Sequence, residues 1–438
     1  MTRESVIVVS LGSKYQEFFK RIRSSDLVKN IMMVGGGLAA AQAITLAVTP
    51  FLSRLYGAEA YGVSAAYVAI INVISPIATM GYSNAIVIPK EEEEALAVAR
   101  ASVLFGFFSF LVSLLLVVFF KTTIASISGL DSHQDILYLI PVSMLIMSLL
   151  STANQSAIRA GLFKHKATAY VGSVANTNVT KLSAGFFVPT GAALVLLTEV
   201  GKIVNLVLQL LIVPKNGVLH PRFWFGYRGV RGIAIKYYDF ALYRMPQSII
   251  RALGMGLPVL ILASFFDSGV AGQYSIAILL LGAPVMLLGD AVGEVFYPKI
   301  TRSIQSDIDR ARRLVIAAML ILAALGSLGF GVIIIWGGEL IPWFLGAGWE
   351  VAGEYSRWVS VWMLFMLIAR PAIAAVPAMK LQRGLLIYEV AITMTRGAAL
   401  YTGAKLESDI WSLAIFCITN ALGYISLSLF VLHKMKRK

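Results

Sequence analysis

The sequence predicts an all-α polytopic membrane protein, with about 12 transmembrane helices in two pseudo-symmetric six-helix bundles around a central cavity. Three observations predict it. The chain is 58% hydrophobic and 14% charged, where soluble globular chains carry about 25% charged residues. Long apolar runs recur from residue 31 to residue 432, each near the roughly 20 residues that cross the hydrocarbon as a helix. The segments between them alternate in charge, one basic and the next nearly bare.

The elements follow in order. Residues 1–30 form an amphipathic cytoplasmic arm. Its apolar stretch VIVVSLG is too short for a signal peptide. The first span, 31–54, carries Pro50 near its end, and the second, 61–88, opens at Tyr61-Gly62 and closes before Pro89-Lys90. EEEE at 91–94 precedes the third span, 95–120, as a solvated first turn that the helix dipole favours. The fourth, 135–158, holds Pro141, and the fifth, 167–188, is the most polar, with NTNVTKLSAG. The sixth, 191–213, contains TEVGKIV, and together the spans of 31–213 make the first bundle. Residues 214–240 are the longest loop, basic and aromatic, a cytoplasmic linker between the bundles.

The second bundle, 241–432, repeats the pattern. Span 241–265 holds Pro258, and 270–297 opens at Ala271-Gly272 and closes before Pro298-Lys299. Spans 312–336, 353–378, 384–403 and 410–432 follow, with Arg370-Pro371 marking a bend in the second of these. Residues 433–438, HKMKRK, are a basic tail. From Gly62 to Pro89 is 27 residues and from Gly272 to Pro298 is 26. An even number of spans per half makes these parallel repeats about an axis along the membrane normal.

The basic segments hold 27 of the 37 lysines and arginines. The opposite side has Arg54, Lys121, Arg357 and Lys405. By the positive-inside rule both termini are cytoplasmic. The net charge of +14 is then a topology signal, with attraction to anionic membrane lipids. Nucleic acid is excluded as a partner, since no base-reading motif accompanies the charge.

Charges inside spans are the informative residues, because each costs at least about 2.5–3.5 kcal/mol at mid-bilayer. The cations are Lys181, Lys202, Arg244, Arg251, Arg370 and Arg396; the anions are Glu199, Asp290, Glu294 and Glu389. Glu199 and Lys202 lie three apart and suit a bridge within one helix. Arg244 suits snorkelling. Glu294 suits an interfacial contact with Lys299, and Asp290 either a pair with Arg251 or a transport role. Lys181, Arg370 and Arg396 suit a cavity lining. Amides such as Asn72, Asn84, Asn154, Gln155, Asn176, Asn178 and Gln247 suit a wet cavity, or hydrogen bonds between helices.

Chemistry of other kinds is missing from the sequence. No GxxxxGK[ST] loop and no HExxH is present, and Cys417 is the sole cysteine. No cofactor or metal is expected. His133 lies in the short loop GLDSHQD and reads as an ordinary loop histidine. Short outer loops disfavour an enzyme.

The stretch TPFLSRLYGAEAYGVSAAYVAIINVISPIATMGYSNAIVIPKEEEEA (49–95) resembles the opening of Wzx-type oligosaccharide flippases, the polysaccharide biosynthesis proteins of the multidrug/oligosaccharidyl-lipid/polysaccharide exporter superfamily. Residues 237–300 are similar to that family's seventh and eighth helices, and IPWFLGAGWEVAGEYSRW (341–358) to its outer loop before helix ten. The resemblance implies movement of a polyprenyl-pyrophosphate-linked oligosaccharide from the inner to the outer leaflet of a bacterial cytoplasmic (inner) membrane. It implies alternating access and work alongside a glycan polymerase or assembly complex. It also implies that Lys181, Arg251, Arg370 and Arg396 receive the anionic cargo. Proton or sodium coupling would fall to Asp290, Glu294 or Glu199. Family members often carry an Arg-Tyr-Glu-like patch where this chain has Gly81-Tyr82-Ser83-Asn84. The alternatives are a cation-coupled multidrug exporter of the same superfamily and a non-transporting scaffold in glycan assembly.

Overall fold

The computed structural model describes residues 26–212, 217–379 and 381–436. The arm at 1–25, residues 213–216, Lys380 and residues 437–438 lie outside the described residues. Among those described, the chain is helical and contains no strand.

Helix α1 (Asp26–Ile74) is two spans joined at a break. Gly57 has φ 69° and ψ 175°, which a side-chain-bearing residue avoids, so the axis turns there. Two 3₁₀ turns, Ser75–Thr79 and Tyr82–Ala85, finish the second span. They replace the last helical turns that the sequence predicts up to residue 88. Then come α2 (Glu92–Ser128), α3 (Leu139–Arg159), α4 (Phe163–Gly185) and α5 (Gly191–Ile212). The intervening segment contains α6 (Val230–Lys236), and a π-helical turn, Phe240–Arg244, leads into α7 (Met245–Phe265).

The second bundle continues with α8 (Ser268–Ser306) and α9 (Ile308–Leu345). Asp267 and Asp307 cap their N-termini by accepting from the backbone N–H of Val270 and Arg310. α10 (Glu350–Ile368) and α11 (Arg370–Ala378) form one bent span, interrupted where Pro371 withholds a backbone donor. α12 (Gln382–Lys405) and α13 (Asp409–Lys436) complete the chain.

Among the described residues, nine helical stretches are long and apolar enough to cross a membrane on composition alone. One of them, Gly35–Thr79, contains the Gly57 break and so makes two crossings. α4 and α12 fall outside this set. They are the fifth span of each half and carry Lys181 and Arg396 respectively. Their polarity is repeated in the two halves. The molecule is thus a polytopic membrane protein of two six-helix bundles.

The solvent that this surface expects is lipid. Phe119 is 73% exposed and Trp343 78%, while Ser102, Ser143, Ser356 and Ser412 are fully buried. Small residues let helices approach closely. A Cβ added to Gly106 in α2 would lie 2.2 Å from the Ser148 hydroxyl of α3.

The bundles meet through reciprocal glycines. A Cβ on Gly62 would sit 1.5 Å from the Ser268 carbonyl oxygen, and one on Gly272 would sit 1.9 Å from the Ala58 carbonyl oxygen. Each glycine therefore fits against the backbone one turn before the other. A second reciprocal pair lies farther out. Gly129, at φ 67°, packs on the Ala263 carbonyl, and Gly346, at φ 109°, packs on the Arg54 side chain. The Ser53 hydroxyl donates to the Leu345 carbonyl at 2.7 Å. The Trp349 indole donates to the Ser53 carbonyl at 3.3 Å. This double clasp lies on the face with few basic loops. The repeat read from Tyr61-Gly62 and Ala271-Gly272 is where the two halves touch.

Candidate functional site

In the first bundle, polar side chains converge from α1, α3, α4 and α5. Glu199 is 4% exposed and its Oε1 accepts from Lys202 Nζ at 2.6 Å. Three residues bring the two side chains to one face of α5. The other carboxylate oxygen, Oε2, is buried with no hydrogen-bond partner among the described residues. Tyr67 of α1 lies within electrostatic range of Glu199 and shares a 2.6 Å hydrogen bond with the Ser143 hydroxyl. Gly201 lets α5 press on Thr177 of α4, where a Cβ would come 2.1 Å from the hydroxyl.

Lys181 lies on α4, half-buried, within electrostatic range of Lys202. Its backbone carbonyl accepts from Tyr56 at 2.8 Å. About two turns beyond Gly201, Gln209 donates to Asn205 at 3.0 Å and to Asn154 at 3.3 Å. Asn205 and Gln209 stand four apart, a spacing that could have marked the pair in the sequence.

The second bundle presents guanidinium groups. Arg396 of α12 stacks over Tyr424 of α13, with Cζ 5.9 Å from the ring centroid. One of its terminal nitrogens lies 3.9 Å from where a Cβ on Gly254 would be. Gly254 is one turn from Arg251 on α7, whose side chain is exposed. Arg370, at the start of α11, lies against α8 at Gly289, with Nε 2.6 Å from a Cβ placed there. Only glycine gives the guanidinium that shelf. The Nε atoms of both Arg370 and Arg396 are buried and have no hydrogen-bond partner among the described residues. The buried Trp362 Nε1 in α10 is also without one.

Asp290 and Glu294 are helical within α8, but their side chains lie outside the described residues. Arg251 is exposed rather than buried, so it is not half of an enclosed ion pair. Arg244 is exposed and its Nη1 donates to Gln247 at 3.5 Å, in keeping with a snorkelling side chain. Glu389 is half-buried and its carbonyl accepts from Thr393 at 2.7 Å.

Three of the four consecutive glutamates do more than the sequence implied. Glu92 accepts from the Val218 backbone N–H at 2.5 Å, and Glu94 binds Lys236 at 2.5 Å and the Tyr237 hydroxyl at 2.9 Å. Glu93 lies 3.8 Å from Arg228. The run fastens the linker to the first bundle, beyond favouring the helix dipole. Sequence alone did not expose this, since the partners lie more than a hundred positions away.

Comparison with known proteins adds a family and a fold. A family model described as "Polysaccharide biosynthesis protein" matches residues 51–354. No individual curated protein matches. Among solved structures, the chain is similar to a lipid II flippase MurJ in an inward closed conformation, at 14% identity and TM-score 0.73, covering 91% of this chain and 87% of that one. It is similar to an inward-facing multidrug resistance MATE family transporter of the MOP superfamily, at 13% identity and TM-score 0.62, covering 91% and 96%. An outward-facing MATE family transporter gives 12% identity and TM-score 0.56, covering 93% and 95%. At these identities the likeness concerns the fold.

Proposed function

The chain belongs to the polysaccharide biosynthesis protein family, and from this we propose that it flips a polyprenyl-pyrophosphate-linked oligosaccharide across the cytoplasmic membrane by alternating access. The observation that carries the reading is the pair of buried Nε donors on Arg370 and Arg396, set in the second bundle with no described partner. A guanidinium offers a planar fork of donors that matches phosphate oxygens. In a site shielded from water, such groups bind an anion far more strongly than they would at a surface.

Each residue has a part. Arg396, held against Tyr424 and the Gly254 shelf, and Arg370, held on Gly289, receive the pyrophosphate. Lys181 faces the sugar portion from the first bundle. Arg251, exposed on α7, meets the headgroup as it enters. The prenyl chain remains in lipid between the bundles. The basic face is cytoplasmic, which places both termini there. The double clasp then closes the outer face. The bundles rock about the Gly62–Gly272 contact to release the cargo outside.

Glu199 supplies coupling. In the clasped state it is bound by Lys202. A proton or sodium ion taken by the free oxygen would weaken that bridge and shift the conformational balance. Asp290 and Glu294 remain further coupling candidates; retention of full flipping and full gradient dependence by Asp290→Asn would remove the first. A cation-coupled multidrug exporter would share this fold and would use Glu199 to hold a cationic cargo. Lys202 already occupies that carboxylate at 2.6 Å, which favours the anionic cargo.

The test is a reconstituted assay. Vesicles holding the protein are loaded with a fluorescent short-chain polyprenyl-pyrophosphate oligosaccharide, and its arrival in the far leaflet is followed by quenching. Arg370→Ala and Arg396→Ala should each slow transfer by roughly tenfold or more, the scale of a charge-assisted hydrogen bond. Unimpaired transfer in both variants would refute the assignment.

A further inference from the structure

The linker is a strap with two unlike faces. One face is buried in the first bundle. Trp224 is 1% exposed, and with Val218 and Ile233 it packs on Ala97, Val98 and Ala101 of α2 and Ala153 of α3. The Trp224 indole donates to the Val218 carbonyl at 2.7 Å. Arg100 of α2 donates to the carbonyls of Phe223 and Arg228. Together with the glutamate contacts, these fix the strap at one height, beside the first turn of α2, the last turn of α3 and the π-helical entry to α7.

The other face is exposed, aromatic and basic. Phe223, Phe225 and Tyr227 project from it, Tyr227 being 87% exposed, and Arg222, Arg228 and Arg231 are interleaved with them. Contiguous exposed apolar surface in a soluble setting marks an interaction site. Here the strap adjoins the ends of three helices, all of which begin or end candidate membrane crossings at this level. Amphipathic aromatic rings and arginines are the residue types that settle at the headgroup layer. On the exposed face Arg228 lies 3.8 Å from the exposed Glu93, while no described carboxylate forms an ion pair with Arg222 or Arg231, so the outward charge is in net excess.

We propose that this exposed face of the strap is a docking surface for anionic lipid headgroups of the adjoining leaflet, with the arginines contacting phosphate and the aromatic rings resting among the glycerol and upper acyl positions. The occupant is the bulk anionic lipid, not the transported headgroup: the surface is exposed beside α2, where Phe225 lies 6.4 Å from the exposed Phe107 ring, and not among the buried polar groups of the bundles. Its role is to hold the first bundle at a fixed depth while the second moves against it. The assignment does not depend on the identity of the cargo.

The experiment uses the full chain in neutral detergent, with binding of fluorescent phosphatidylglycerol followed by anisotropy. The triple variant R222A/R228A/R231A should bind more weakly, by roughly fivefold for each arginine removed. R222K/R228K/R231K should keep most of the affinity, since the charge is retained. Unchanged thermal midpoints certify that the exposed substitutions leave the fold intact. Equal binding of phosphatidylglycerol by the wild type and the alanine variant would overturn the proposal. So would fluorescent phosphatidylcholine binding the wild type as tightly as phosphatidylglycerol. A third arm offers a polyprenyl pyrophosphate in competition: if it displaces the probe at far lower concentration than unlabelled phosphatidylglycerol, the surface serves the cargo, and the lipid assignment falls.

Discussion

The two bundles share a frame and differ in their charge. At the clasp they are almost interchangeable: Gly62 rests on α8 as Gly272 rests on α1, and Gly129 and Gly346 each cap a helix against the opposite bundle. At the level of the buried polar groups they part. The first bundle closes a carboxylate on an ammonium, Glu199 on Lys202. The second holds guanidiniums on glycine shelves and an aromatic ring. The difference teaches that repetition preserved what joins the halves. What the halves could offer a ligand was free to diverge.

The largest effect should come from dividing the first bundle's ion pair. Removing one member of a buried pair leaves an uncompensated charge and costs about 3–5 kcal/mol. Glu199→Gln or Lys202→Met alone should each lower the thermal midpoint markedly, while the double variant should recover much of the loss. A double variant as unstable as the sum of the singles would show that the two side chains act independently.

Next is the symmetric contact. Gly62→Val and Gly272→Val would both place side-chain carbon inside the opposite backbone. Overpacking of this kind costs typically about 1–3 kcal/mol, and here the obstacle is a carbonyl that cannot rotate away. The two variants should lose transport to the same degree. They should also increase labelling of single cysteines placed near residue 266 in a Cys417→Ser background, Cys417 being buried and the only cysteine. Unequal labelling would mean that the clasp is less symmetric in function than in form.

A smaller effect separates charge from shape in the second bundle. Arg396→Lys keeps the charge but loses the planar stack on Tyr424 and the fork of donors. We expect transport to fall about three- to tenfold, in line with a partly desolvated cation–π contact of about 0.5–2 kcal/mol. The matching change in the first bundle, Lys181→Arg, should have little effect on rate.

The smallest effect concerns the strap. The Glu94 carboxylate beside Lys236 holds that ammonium above its ordinary range. A raised value in the folded state means that the contact contributes fully below the usual lysine pKa and is lost as pH rises through the raised one. The protection of residues 230–237 against hydrogen exchange, taken relative to the intrinsic base-catalysed rate, should therefore be constant around neutrality and fall only at strongly alkaline pH. In Glu94→Gln that alkaline step should disappear.

Most of the fold was legible in the sequence because lipid imposes a coarse code. Apolar runs give the crossings, and loop lysines and arginines give an expected orientation. The Tyr61-Gly62 and Ala271-Gly272 pairs marked the repeat correctly, since close backbone approach demands glycine in both halves. The Glu199–Lys202 bridge was legible too, because its spacing is local. Less could be read where contacts are distant. Nothing in EEEE announces Val218 or Lys236, and a helix-dipole account of it was incomplete. Tyr424 beneath Arg396 and the shelves at Gly254 and Gly289 need three-dimensional neighbours before they have meaning. The α4 and α12 pair was read as the spans 167–188 and 384–403 although their polarity lowers the very signal by which spans are found.

The strap also shifts the border between the halves. By sequence, the border is the loop that begins near residue 214. Physically, Val218, Trp224 and Ile233 are part of the first bundle's interior, and the chain changes allegiance only at the π-helical turn Phe240–Arg244. Two genes made by cutting this chain would therefore be best divided just before Phe240. A cut at residue 214 would hand the second polypeptide a greasy tryptophan-bearing tail and leave a hole in the first. The unit of inheritance and the unit of packing are offset by one strap's length.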